Sequence, residues 1–130
     1  MGTVNIPASD AGPTVGDVML RDPEVHPPTT TVGDVRRAFE SPRQKLFLIA
    51  DGSSYVGAVL RDGADGGSDS DPVTSLDTGS VPTLSPDSPT SRIYELVEAH
   101  DLTRIPVVDT DGTLHGLVCF NRTRETFCVA

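Results

Sequence analysis

The second half of this 130-residue chain restates the first. Pro28 and Pro86, Val35 and Ile93, and Phe39 and Val97 correspond at a spacing of 58 residues, as 28 to 86 shows. From Lys45 and Arg104 through Gly57 and Gly116 the spacing reads as 59, as 45 to 104 shows, which puts a one-residue slip between helix and strand. A pattern that recurs through two helix-strand-strand segments describes two copies of one supersecondary unit. Each copy alone is too small to bury a sufficient core, so the two must bury their faces on each other.

Each copy predicts the same elements. In the first helix Val32, Val35 and Phe39 fall at i, i+3 and i+7 with Ala38 beside them, giving one apolar face. Ile93, Leu96 and Val97 repeat that face in the second. Ser88 is expected to cap the second helix, with Pro89 at its first position, where no backbone donor is needed. The apolar runs 46–50 and 105–108 follow, too continuous for half-exposed strands, so both faces should be covered. Asp51-Gly52 and Asp111-Gly112 are hairpin turns into the second apolar runs, 56–60 and 114–120.

The string Thr-Val-Gly-Asp-Val at 14–18 and again at 31–35 is not the repeat. In both places Thr can cap a helix, and the Asp three residues later favours its positive end, so the likeness reflects two helix starts. The equivalent lead-ins are instead 15–20 and 73–78. Residues 1–13 read as a loose leader, 14–62 as the first motif, 63–72 as a flexible linker rich in Gly, Ser and Asp, and 73–130 as the second motif. The leader lacks a basic start followed by an apolar stretch, so a cytoplasmic location is expected. No apolar run approaches the length of a membrane span.

The formal net charge of −9 opposes phosphate backbones, which disfavours nucleic acid as a partner. A single small anion asks only for one or two local cations and is not excluded by global charge. His26, His100 and His115 are dispersed, and Cys119 and Cys128 lack zinc-ligand spacing, so no metal site is expected. Both cysteines read as free thiols, Cys119 as a small buried residue in an apolar strand. Arg36 and Arg37 read as solvated, and no nucleophile-base pair can be assembled, so no catalytic residue is assigned.

Arg104-Ile105-Pro106-Val107-Val108-Asp109, then Asp111-Gly112, then Leu114-His115-Gly116-Leu117-Val118 closely resembles the cystathionine-beta-synthase (CBS) domain family. The first copy resembles it more loosely, with Phe47 in place of the Pro and Ala50 in place of the Asp. The chain thus resembles a tandem CBS pair, or Bateman module. The resemblance implies an α/β (α+β) fold of two pseudo-twofold-related motifs, each a small sheet with flanking helices, the sheets packed face to face around two clefts. It also implies a homodimer, and clefts that in many members bind AMP, ADP, ATP or S-adenosylmethionine.

Carried onto this sequence, the resemblance points to Val25, His26 and Thr83 beside the adenine, with Lys45 and Arg104 toward phosphate. The family's Gly-apolar-apolar-Ser/Thr-x-x-Asp motif, whose Asp holds the ribose, is incomplete in both copies. Leu60 and Gly63 stand at the two polar positions in the first copy, and Cys119 and Arg122 in the second. Asp62 lies one residue early and could substitute for the Asp if the turn shifts. Losing a charged acceptor removes about 1.5–3 kcal/mol, tenfold or more in affinity. Two readings follow. One is a non-enzymatic regulatory sensor of an adenosine-containing ligand, acting on an unidentified protein; the other is a degenerate pair serving as a dimerisation or scaffold module.

Overall fold

A computed structural model describes residues 13–121 and 126–127. The elements are α1 (Val15–Val18), α2 (Val32–Ala38), β1 (Leu46–Asp51), β2 (Ser54–Leu60), α3 (Ser91–His100), β3 (Arg104–Val108), β4 (Leu114–Asn121) and β5 (Thr126–Phe127), with short 3-10 turns at Arg61–Asp65 and Val73–Ser75. They form small sheets flanked by helices, the α+β class that the resemblance implies. Two compact units result: the first is Glu24–Pro82 with Gly112–Leu114, and the second comprises the described residues through Pro23, Thr83–Asp111 and the described residues from His115.

In the first unit, β1 and β2 form an antiparallel hairpin with Leu46 opposite Leu60 and Ile49 opposite Gly57. All five residues 46–50 are buried, as the continuous apolar run predicts. The Thr31 hydroxyl accepts from the Asp34 N–H at 3.3 Å, and the Asp34 carboxylate accepts from the Thr31 N–H at 3.4 Å, so both orphan donors at the start of α2 are satisfied. That reciprocal bonding, with Arg37 nearby, holds the Asp34 carboxyl below the usual aspartate range. Val32, Val35 and Phe39 on the α2 segment meet Phe47 and Ile49 of β1 and Val59 of β2 in one core.

The segment 63–72, expected as a flexible linker, is tied to this unit. The Arg36 guanidinium donates to the carbonyls of Ala64 at 3.0 Å, Gly66 at 2.9 Å and Gly67 at 3.0 Å, and to the Asp69 carboxylate. The N–H groups of Val32 and Gly33, at the start of α2, donate to the carbonyls of Asp71 and Asp69 at 2.8 and 2.9 Å. Ala64 is buried in the core. Arg36 is therefore a structural clasp, and not the solvated side chain expected.

In the second unit, Thr14 and Asp17 form a capping box at α1, the Thr14 N–H donating to Asp17 at 2.9 Å. Both Thr-Val-Gly-Asp-Val strings are thus helix starts. The helix expected from Ser88 begins instead at Ser91. Residues 86–89 are committed elsewhere: the Val15 N–H donates to the Ser88 carbonyl at 2.8 Å and the Gly16 N–H to the Pro86 carbonyl at 3.0 Å, while Thr14 bridges Pro89. α3 buries Ile93 and Val97 and ends at Asp101, whose φ of 55° lets its N–H reach the Val97 carbonyl at 3.0 Å. β3, β4 and β5 form the sheet, with Phe120 opposite Phe127. Cys119 is buried in β4 as expected, but it is disulfide-bonded, not a free thiol. The other cysteine of the sequence, Cys128, lies outside the described residues.

Candidate functional site

Backbone pairing revises the match between the copies. In the first unit the His26 N–H donates to the Leu48 carbonyl and the Ala50 N–H to the His26 carbonyl, both at 3.0 Å. In the second unit the Leu84 N–H donates to Pro106 at 3.0 Å and the Val108 N–H to Leu84 at 2.8 Å. These pairs correspond at 58 residues throughout, as 48 to 106 and 50 to 108 show, so the slip to 59 falls in the hairpin beyond Ala50. Leu48, not Phe47, stands at Pro106, and Asp51, not Ala50, stands at Asp109. The residue equivalent to Arg104 is Leu46, 7% exposed, while Lys45 falls opposite Thr103. The symmetric pair of bases read from the sequence dissolves, because strand pairing sets the register and the charge pattern does not.

The residues expected beside a ligand are placed as follows. Val25 is 38% exposed. His26 joins the edge of β1 as a parallel bridge to Ile49, and its ring lies on the Phe47 ring with centroids 4.1 Å apart and planes 14° from parallel. Its Nε2 sits 3.7 Å from the Glu24 carboxylate. Lys45 is exposed at the entry to β1. In the second unit Thr83 is exposed beside the Leu84 bridge to Val107, and Arg104 is half-buried at the start of β3. The Arg104 guanidinium donates to the Thr103 carbonyl at 3.1 Å, and burial pulls its pKa below the ordinary arginine range. The position of Arg122 lies outside the described residues.

Asp62 enters a cleft of about 300 Å³ within the first unit, lined by Leu60, Asp62, Gly63, Asp77, Ser80 and Val81. β2 delivers Leu60 to its rim, and the 3-10 turn Arg61–Asp65 brings Asp62 and Gly63 after it. Opposite runs the turn through Asp77, whose carboxylate accepts from the Gly79 N–H at 3.3 Å and from the Ser80 hydroxyl. Arg61, between two lining residues, is drawn off: it donates to the carbonyls of Phe39, Ser41 (3.1 Å) and Gln44 (3.0 Å), with its guanidinium 5.2 Å from the Phe39 ring centroid. Asp62 alone of the expected residues lines this cleft; Val25, His26 and Lys45 of the same unit do not. Asp77, Ser80 and Val81 were not expected. The signal for them is the Asp77-Thr78-Gly79-Ser80 string, whose Asp can bond the backbone two residues on.

Residues 73–121 match the CBS-domain family model. No curated protein sequence matches the chain. Among solved structures, the CBS pair domain of a protein assigned as a Mg2+ transporter in Shewanella oneidensis superposes with a TM-score of 0.71 at 21% identity, covering 84% of this chain and 66% of that one. CBSX2, a CBS-pair protein of Arabidopsis thaliana solved with AMP, gives 0.68 at 21% identity, covering 83% of this chain and 90% of that one. The cytosolic domain of the Mg2+ channel MgtE, solved with ATP, gives 0.66 at 20% identity, covering 82% of this chain and 46% of that one. The second copy thus matches the CBS domain, and the chain as a whole has the fold of solved CBS pairs. Among the described residues no helix is long and apolar enough to cross a membrane.

Proposed function

We propose that this module is regulatory, binding an adenosine-containing ligand without catalysis in the cleft of its first unit. One observation carries the reading. The cleft is lined by Leu60, Asp62 and Gly63, from the segment where the family's Ser/Thr-x-x-Asp ligand motif stands, with Asp62 present although Gly63 holds the motif's own Asp position. Leu60 and Val81 offer an apolar wall to a base, and Asp62 and Asp77 offer acceptors to ribose hydroxyls. The AMP and ATP complexes of CBSX2 and MgtE support an adenosine ligand by analogy of fold. Regulation then follows from a ligand that favours one disposition of the two copies over another, in a cytoplasmic homodimer acting on a further protein.

A thermal-shift series with AMP, ADP, ATP and S-adenosylmethionine tests this. Ligand at 100 times its dissociation constant adds about 2.7 kcal/mol of stability. No shift with any of them at millimolar concentration rejects the sensor. It leaves the second reading, a dimerisation or scaffold module, which Leu60 and Gly63 at the motif's polar positions favour. Light scattering should give twice the 13.7 kDa chain mass on either reading.

A further inference from the structure

We infer that the cleft selects adenosine-class ligands whose 5′ end carries no phosphate, neutral or cationic, over AMP and ATP. This rests on the cleft being the ligand site. Among the described residues, the lining includes two carboxylates, Asp62 and Asp77, and no cation. Arg61, the base nearest in sequence, spends its guanidinium on three carbonyls and the Phe39 ring. The strand start that carries Arg104 in the second unit carries buried Leu46 in the first, and exposed Lys45 is not among the lining residues. Leu60 lines the cleft at the position where, by the family resemblance, the motif's hydroxyl would face a phosphate.

Each absence matters because a phosphate needs donors or cations to replace its water, and here it would meet like charge. The same groups suit a nucleoside. A carboxylate has about four acceptor sites, and Asp77 has given two to Gly79 and Ser80, so it can still accept from a hydroxyl. Asp62 and Asp77 therefore act as specificity residues: they favour the ribose diol and any positive charge at the 5′ end, and they disfavour phosphate by repulsion.

Calorimetric titration of the full chain with adenosine, S-adenosylmethionine, AMP and ATP tests the inference. Adenosine and S-adenosylmethionine should bind about tenfold or more tighter than AMP, with ATP no tighter than AMP. Combining Asp62→Asn with Asp77→Asn should close the gap between adenosine and AMP by about tenfold. Added sodium chloride should narrow the same gap in the unaltered chain, a readout independent of whether the variant folds. AMP or ATP binding as tightly as adenosine, or a gap indifferent to both salt and the two substitutions, overturns the selectivity while leaving the ligand site standing. Failure of all four ligands to bind overturns the site as well.

Discussion

Replacing Gly57 by alanine sets a methyl group against the backbone that closes β2. A Cβ there would lie 2.5 Å from the Thr78 carbonyl oxygen and 2.7 Å from the Thr78 Cβ, where ordinary contact begins at 3.4 Å. The Thr78 backbone must retreat, and that carbonyl is the acceptor for the Ala58 N–H at 3.0 Å. Overpacking of a well-filled site costs about 1–3 kcal/mol, and the lost hydrogen bond about 1 kcal/mol more. Gly57→Ala should therefore lower stability by about 2–4 kcal/mol, a large part of the roughly 5–15 kcal/mol typical of a domain. Gly116→Ala should match it, since a Cβ there would lie 2.4 Å from the Leu20 carbonyl oxygen and 2.7 Å from the Met19 sulfur. Gly79→Ala is the control: nothing lies within 4 Å, so it should be neutral or stabilise by about 0.4–1 kcal/mol through the unfolded chain. Urea unfolding reads all three from the midpoint and slope. Should Gly57→Ala cost no more than Gly79→Ala, the close approach of Thr78 to β2 is wrong.

Two further outcomes follow from single side chains. Arg36→Ala removes the bonds to Ala64, Gly66, Gly67 and Asp69; it should cost about 2 kcal/mol and speed proteolysis within residues 61–72, and unchanged cleavage there would refute the clasp. Burial pushes the Tyr55 phenol up to about 12 from 10.0, so the folded state holds its proton where the unfolded state loses it. Stability from this residue is complete below pH 10 and falls as pH rises toward about 12; an alkaline unfolding series should show that slope in the native chain and lose it in Tyr55→Phe.

Legibility in this sequence follows the range of the interaction. The capping boxes at Thr14 and Thr31 join residues three apart, and the buried run 46–50 announces itself by composition, so both could be read directly. The start of α3 could not, because Ser88 and Pro86 give their carbonyls to Val15 and Gly16, more than 60 residues away, as 15 to 88 shows. The hold on residues 63–72 depends on Arg36, a distant residue with nothing beside it to mark a partner. Lys45 and Arg104 seemed equivalent because their charges matched; only the hydrogen bonds of His26 and Leu84 to β1 and β3 expose the error. Asp62 stands in the motif it nearly completes, whereas Asp77 and Ser80 carry only the local turn signal of their Asp-Thr-Gly-Ser string and reach the cleft by the path of the chain.

That path bears on the proposed regulation. The lead-in to the second copy does not stay with that copy: its Thr78 carbonyl accepts from Ala58 on β2, as the Leu117 carbonyl of β4 accepts from Leu20 of the other lead-in. Each folded unit is thus completed by the lead-in of the other repeat, and the folding unit is offset from the repeating one. Asp77, Ser80 and Val81 lie on the stretch that leaves β2 and runs on through Pro82 into Thr83, the start of the second unit's main segment. A ligand held between this stretch and Leu60, Asp62 and Gly63 would grip the chain just before it passes from one unit to the next. Its binding energy can bias that passage only to the extent that Asp62 and Asp77 are held differently in the alternatives. Under the proposed selectivity, the acidic pair that would choose the ligand would also be the pair through which it acts.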